Sequence, residues 1–188
     1  GINCIDHTTK KIIRFYPKSI DKECTTNAAV RLLKHSDGNV YAFCNQSIFK
    51  CSMDQTVEPI LPDTVISSPA HSVAQAPDED IYIGTESSGL YIYSGNWKLK
   101  QHIPVDGTIT AILPDEGGNI WLGLDEAGIC LFNKERQTFT WLHKDNTCLS
   151  NNSIRTLVPY SDSSILIGTF RGLNILDKKE FAIAPADI

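Results

Sequence analysis

Residues 117–177 read GGNIWLGLDEAGICLFNKERQTFTWLHKDNTCLSNNSIRTLVPYSDSSILIGTFRGLNILD, and they contain one pattern twice. Each copy has Ile-x-x-Gly, a polar turn, and then a glycine followed by four mostly apolar residues. The glycine-led run occurs elsewhere in the chain as well, once without its glycine. It begins at Gly1, Ser47, Gly89, Gly128 and Gly172, so the spacings are 46, 42, 39 and 44 residues. Sequence periods of this size indicate solenoids or propellers.

Each repeat contains four short apolar runs that are separated by turn signals. One run precedes the glycine-led run, at residues 40–43, 81–85, 120–123 and 165–169. Another lies further upstream, at 29–33, 70–74, 109–113 and 154–158, and a weaker one follows at 97–103 and 138–143. β-Branched and aromatic residues are frequent in these runs, and turn-forming sequences such as Asp37-Gly38-Asn39 separate them. The repeat therefore predicts a blade of four antiparallel strands, named a to d from the centre outward.

We therefore expect an all-β fold, a β-propeller of four-stranded antiparallel blades. One partial propeller over residues 1–188 would have blades at 1–16 (partial), 29–61, 70–103, 109–143 and 153–183. A helical solenoid is disfavoured because the runs lack helical apolar spacing, and a β-sandwich would not repeat its glycine at a fixed period. The sequence begins and ends partway through a blade, and this favours the interpretation that the chain is a fragment of a larger propeller of the seven-bladed type. The alternative is a four-bladed ring in which residues 1–16 supply the outer strands of the last blade.

The composition excludes several classes of function. The chain has 188 residues, is 41% hydrophobic and carries a net charge of -5, with its Lys and Arg scattered. Nucleic-acid binding needs clustered cations, so we expect no nucleic-acid partner. No run of 18 apolar residues occurs, so we expect no membrane segment in this chain.

Cysteine and histidine positions do not indicate a metal site or a nucleophile. Cys4, Cys44, Cys51 and Cys130 fall on predicted strands and are expected to be small buried residues. Cys24 and Cys148 lie in loops, and a disulfide between them would have to cross the mouth of the propeller. The five histidines are isolated, and no CxxC, HExxH or GxSxG motif is present. We expect no metal, no cofactor and no catalytic residue; the acidic pairs Asp115-Glu116 and Asp125-Glu126 are expected to be solvated turn residues.

The period and its motifs resemble the two-component regulator propeller repeat. That repeat is approximately GNLWIGT, a glycine-led apolar strand, a polar turn, F-T-x-Y and a "glSsnsI" loop. Residues 119–123 (NIWLG) and 150–154 (SNNSI) match it best. Ser47 and Phe43 depart from it, since both stand where the repeat has glycine.

The resemblance implies that the chain is the periplasmic sensor part of a hybrid two-component protein anchored in the inner membrane, as is common in Bacteroidetes. Such sensors respond to oligosaccharides and pass the signal to a histidine kinase and a transcription regulator. The partners would be an oligosaccharide, the remaining blades and β-sandwich of the parent chain, and a second copy in a homodimer. Two alternatives stay open: a propeller scaffold for protein interaction without a small ligand, and a propeller polysaccharide lyase or glycoside hydrolase. The chain itself is not expected to be an enzyme.

A ligand site is expected where the b–c turns and the d–a loops emerge on one face, because loops held by a rigid scaffold often carry function. We expect Phe170 and Arg171 to lead this site, since an aromatic ring stacks on sugars and a guanidinium pairs with carboxylate or sulfate. The other candidates on this rim are Asn45, Gln46, Glu86, Ser87, Asp125, Glu126, Asn151 and Asn152.

Overall fold

A computed structural model of the chain describes residues 2–6, 8–15, 31–44, 47–52, 54, 56–60 and 66–186. All regular secondary structure in these ranges is β-strand, so the predicted all-β class is confirmed. The strands are β1 (Ile2–Ile5), β2 (Ile12–Phe15), β3 (Arg31–Lys34), β4 (Val40–Cys44), β5 (Ser47–Cys51), β6 (Val57–Ile60), β7 (Ala70–Gln75), β8 (Ile81–Thr85), β9 (Leu90–Tyr93), β10 (Leu99–Ile103), β11 (Ile109–Pro114), β12 (Asn119–Leu124), β13 (Gly128–Asn133), β14 (Thr138–Leu142), β15 (Ile154–Ser161), β16 (Ser164–Thr169), β17 (Gly172–Asp177) and β18 (Ile183–Pro185).

The strands form four antiparallel sheets of four strands and one hairpin. Within each sheet the strands are neighbours in chain order, which is the pairing expected for a to d. We name the sheets blade B (β3–β6), blade C (β7–β10), blade D (β11–β14) and blade E (β15–β18), and the β1–β2 hairpin blade A.

The β1–β2 hairpin confirms the pairing expected near the start of the chain. Its register runs from Ile2 opposite Phe15 to Ile5 opposite Ile12. Cys4 packs against the buried cluster of blade B. The four-bladed alternative is not observed, because β18 supplies the outer strand of blade E, with Ile183 opposite Leu176.

Three apolar layers lie between consecutive blades, so each blade is held by its neighbours. The B–C layer joins Tyr41 and Phe43 to Ile83 and Tyr91. The D–E layer packs Trp121 against residues of blade E such as Ile167 and Leu176. The C–D layer has the same construction, with Tyr82, Leu90 and Ile92 facing Ile120, Leu122 and Phe132.

Gly123 allows the inner strands of blades D and E to approach closely. A Cβ built on Gly123 would lie 2.4 Å from Cγ2 of Ile154, the first residue of β15. The Thr110 hydroxyl donates to the Ile154 carbonyl at 2.6 Å across the same gap. The absence of a side chain at Gly123 therefore lets strand a of one blade bond to strand a of the next.

Two aromatic residues that the sequence placed in strand d lie in the preceding turns instead. Trp97 and Phe181 have φ of +64° and +54°. Each turns back onto the preceding blade: the Trp97 ring lies 4.8 Å from Tyr41, and the Phe181 ring 6.2 Å from Trp121. Packing between blades therefore overrides the strand preference of these aromatic residues.

No disulfide joins the cysteines in the described ranges. Cys44, Cys51 and Cys130 are buried, as expected for small apolar residues, whereas Cys4 is only half-buried. Burial raises the pKa of the Cys130 thiol to about 12, so it stays protonated at neutral pH. Cys148 is exposed and free. Cys24, the other loop cysteine, lies outside the described residues.

Candidate functional site

The b–c turns and the d–a connections meet on one face, which we call the rim face. In blades C, D and E a backbone hydrogen bond of 2.9–3.0 Å joins each turn to the connection that precedes its own blade. These bonds are donated by Glu86, Asp125 and Phe170 and accepted by Pro69, Thr108 and Ser153. The rim backbone is therefore held in place, while the turn side chains carry fewer constraints.

Five of the eight predicted rim residues that the structure describes present their side chains to solvent. Glu86, Ser87, Glu126, Phe170 and Arg171 are exposed, whereas Asp125, Asn151 and Asn152 are half-buried. Asn45 and Gln46 lie outside the described residues.

Arg155 joins two of the predicted residues, and the sequence analysis missed it. Its guanidinium lies 3.4 Å from the Asp125 carboxylate and 5.6 Å from the centroid of the Phe170 ring. We call Asp125, Arg155 and Phe170 the rim cluster. Arg155 was missed because it belongs to strand β15 and not to a loop; its position after the SNNSI motif was the available signal.

The Arg171 guanidinium does not pack over the Phe170 ring as that of Arg155 does. Within the described ranges its guanidinium makes no ion pair, and only its backbone N–H bonds, to the Thr169 hydroxyl at 3.1 Å. The side chains of Asn151 and Asn152 hold the loop. Oδ1 of Asn151 accepts from the backbone N–H of Ser153, and Oδ1 of Asn152 accepts from that of Lys144, both at 2.8 Å. The Arg171 guanidinium and the two asparagine Nδ2 groups form no hydrogen bond within the described ranges, so they can donate to a ligand.

Among the described residues, the opposite face has clefts that the sequence did not indicate. One of about 500 Å³ lies near the inner turns of blades D and E, and includes Leu113, Asp162 and Lys178. One of about 520 Å³ lies between blades B and C, and includes His35 and Asp78. The third, of about 360 Å³, lies between blades D and E and is lined by Asp115, Asn119, Trp121, Leu131, Asn133, Arg136, Thr138, Thr140, Lys178 and Phe181.

A charged cluster connects blades C and D on this face. Lys134 of blade D lies 2.7 Å from the carboxylate of Asp80, which is almost fully buried, and 2.8 Å from that of Asp78. Lys100 also pairs with Asp80. Burial opposes the charge on Lys134, but the hydrogen bonds to both carboxylates outweigh it and raise the pKa of the ammonium. The buried acid is therefore fully paired, as a buried charge requires.

Asp115 was expected to be a solvated turn residue, but it is half-buried. Asp115 is engaged by its own blade: its carboxylate accepts from the backbone N–H groups of Gly117 and Asn119, both at 2.9 Å, and from the side chains of Asn119 and Trp121, both at 3.2 Å. Within the described part of the chain, no three His, Cys, Asp or Glu side chains are grouped to hold a metal ion. The described ranges also hold no helix with the length and apolar character needed to cross a membrane.

Comparisons with known proteins place the fold but not a sequence family. No protein-family model and no curated protein sequence matches the chain. Among solved structures, it is similar to the extracellular domain described for hybrid two-component system BT3049 of B. thetaiotaomicron, with a TM-score of 0.69 and 17% identity. A second such domain, from BT4673 of the same organism, gives a TM-score of 0.71 and 19% identity. Both matches cover 87% of this chain.

A third similar structure has a different role. PorZ of Porphyromonas gingivalis, a surface component of the type IX secretion system, covers 94% of the chain with a TM-score of 0.70 and 12% identity. The chain spans 25%, 22% and 29% of the three structures, about a quarter of each. The chain thus has the all-β bladed fold that occurs in extracellular domains of hybrid two-component systems.

Proposed function

We propose that this chain is a non-catalytic binding module within the periplasmic sensor region of a hybrid two-component protein. The observation that carries the proposal is the likeness of its blades to two extracellular domains of such systems, at TM-scores of 0.69 and 0.71. The remaining blades, a β-sandwich, a histidine kinase and a transcription regulator would belong to the rest of the parent chain. A second copy of the sensor would be a further partner.

We place the ligand, an oligosaccharide, on the rim face. Phe170 is 66% exposed, so one side of its ring can receive a sugar. Arg155 places a cation 5.6 Å from the ring centroid, and the exposed Arg171 supplies a second cation on the same turn. Aromatic stacking with flanking polar groups is the usual way in which a shallow surface recognises a sugar ring. Glu86, Glu126, Asn151 and Asn152 would add polar contacts around this centre.

Calorimetric titration of the protein with acidic and neutral oligosaccharides tests this proposal. We expect Phe170→Ala to weaken binding by at least about tenfold, because the free energy of one stacking contact corresponds to roughly a factor of ten in affinity. We expect Arg171→Ala to lower the affinity for acidic oligosaccharides more than the affinity for neutral ones. Phe139→Ala is the matched control, since Phe139 is also exposed, at 41%, but lies on outer strand β14. A ligand that binds the wild type and both rim variants equally would remove the rim as the site.

A second candidate function is a scaffold for protein interaction without a small ligand. The likeness to PorZ favours it, because that protein is a component of a secretion system. The two functions differ in the titration: a scaffold gives no heat with any saccharide. Product analysis of the same mixtures would reveal a lyase or hydrolase.

A further inference from the structure

The interfaces C–D and D–E use equivalent positions on the face opposite the rim, but fill them differently. At C–D, Lys134 directly follows strand c of blade D and reaches back to Asp78 and Asp80 of blade C. Its ammonium also lies 5.9 Å from the centroid of the Tyr82 ring. This interface thus contains a cation, a ring and its own carboxylates.

At D–E the cation and the ring are kept, but the two acids are not. Lys178 directly follows strand c of blade E, as Lys134 follows that of blade D. Trp121 stands at the position of Tyr82. Asn119 and Gly117 stand at the positions of Asp80 and Asp78. Within residues 66–186, no carboxylate lies within 4.0 Å of the Lys178 ammonium.

At D–E the equivalent positions border a cleft of about 360 Å³. The antiparallel register builds its floor in two rows, Asn119–Asn133–Thr138 and Trp121–Leu131–Thr140. Phe181, 39% exposed, forms a side wall. The volume is within the range of about 300–1,000 Å³ that is usual for small-molecule sites.

Two cations and one acid line this cleft. Arg136 and Lys178 are the cations, and neither guanidinium nor ammonium forms an ion pair with the described residues. The acid is Asp115, whose oxygens already accept four hydrogen bonds from blade D. The cleft therefore has excess positive charge together with hydroxyl groups and one aromatic wall, a combination that favours an anion with a ring.

We propose that the D–E cleft binds a ring compound bearing a carboxylate. The carboxylate would pair with Lys178 and Arg136, in place of the acid that blade C supplies at the C–D interface. The ring would lie along Phe181, and Thr138 and Thr140 would offer hydroxyl groups to its polar edge. This site is separate from the rim face and does not depend on the sensor role.

Glucuronate is the probe, and glucose is its neutral counterpart. We expect calorimetry at neutral pH to show glucuronate binding more tightly than glucose, and the affinity to fall as salt is added. We expect the substitutions Lys178→Met and Arg136→Gln each to lower the affinity for glucuronate by at least about tenfold, which is the effect of losing one charge-assisted hydrogen bond. Lys179→Met is the matched control, since Lys179 is the exposed neighbour and does not line the cleft. All three variants should unfold at the temperature of the parent protein.

Phe170→Ala separates this site from the rim. Glucuronate affinity that is unchanged in Phe170→Ala and reduced in Lys178→Met supports the cleft. The opposite pattern assigns the binding to the rim and overturns the proposal. Equal affinity for glucuronate and glucose, or a Lys178→Met variant that binds like Lys179→Met, also overturns it.

Discussion

At the scale of single residues, Gly128 and Gly118 separate two effects that a glycine can have in a repeat. Both have positive φ, +82° and +73°. A Cβ on Gly128 would lie 2.4 Å from the Leu142 carbonyl oxygen, whereas nothing lies within 4 Å of a Cβ on Gly118. We expect Gly128→Ala to lower the free energy of unfolding by about 1–3 kcal/mol more than Gly118→Ala, because only Gly128→Ala adds a clash to the backbone strain.

Denaturant unfolding of both variants measures this difference. Gly118→Ala is the internal control, since it reports the cost of positive φ alone. Equal losses in the two variants would show that the backbone near Leu142 moves away without cost, and that close approach does not explain the repeated glycine.

The positions of side chains at the rim were only partly predictable from the sequence. Asp125 and Phe170 were identified because b–c turns can be located from the period. Arg155 was not, since its place beside Asp125 depends on the way blade E sits against blade D. A repeat period gives positions within one blade, whereas side-chain contacts between blades depend on the rotation from one blade to the next.

At the scale of elements, the turn between strands c and d joins each blade to the one before it. One side chain of each such turn lies against the aromatic ring at the same position of strand b in the preceding blade. The pairs are Trp97 with Tyr41, Lys134 with Tyr82, and Phe181 with Trp121. The strands were predictable, because apolar runs and turn residues are local signals. The turn aromatics were not, because an apolar residue after a strand looks like the start of the next strand.

The c–d turn of blade D, which contains Lys134, gives a prediction for the C–D interface. We expect Lys134→Met to lower the free energy of unfolding by about 1–3 kcal/mol, because Asp80 stays buried with Lys100 as its remaining partner. Lys179→Met, on the exposed part of the equivalent turn in blade E, should change stability by less than about 0.5 kcal/mol. A double-mutant cycle with Asp80→Asn measures the coupling directly, and a coupling near zero would contradict the role of this pair.

The pH dependence of this interface follows from two pKa shifts of opposite sign. Burial acts to raise the pKa of Asp78, but the hydrogen bond and charge of Lys134 lower it overall from 3.8, so its contribution is lost as pH falls below about 4. Lys134 has a raised pKa, so its contribution is complete below about 10.5 and is lost at higher pH. We expect the difference in stability between wild type and Lys134→Met to be largest between these limits, as measured by denaturation across pH. A difference that stays constant from acid to alkaline pH would contradict the assignment.

At the scale of the whole molecule, stability is expected to pass from blade to blade, because the apolar layers lie between neighbours. Blades C and D are covered on both faces: strands β8 and β9 are buried throughout, and β12 and β13 nearly so. In blade E, strands β16 and β17 alternate between buried and partly exposed residues. In blade A, Ile5 and Ile12 are 65% and 62% exposed.

Amide hydrogen exchange should therefore show a gradient along the chain. We expect the slowest exchange in β8, β9, β12 and β13, intermediate exchange in β16 and β17, and the fastest among the strands in β1 and β2, because opening a strand costs most where both faces are packed. Mass spectrometry of peptides from each strand, corrected for intrinsic rates, gives the order. The ranking should persist in the Lys134→Met variant, but the protection of β8 and β12 should move toward that of β16, since this change weakens the layer they share. Equal protection in all the strands would mean that the chain unfolds as one unit and that the blades are not the units of stability.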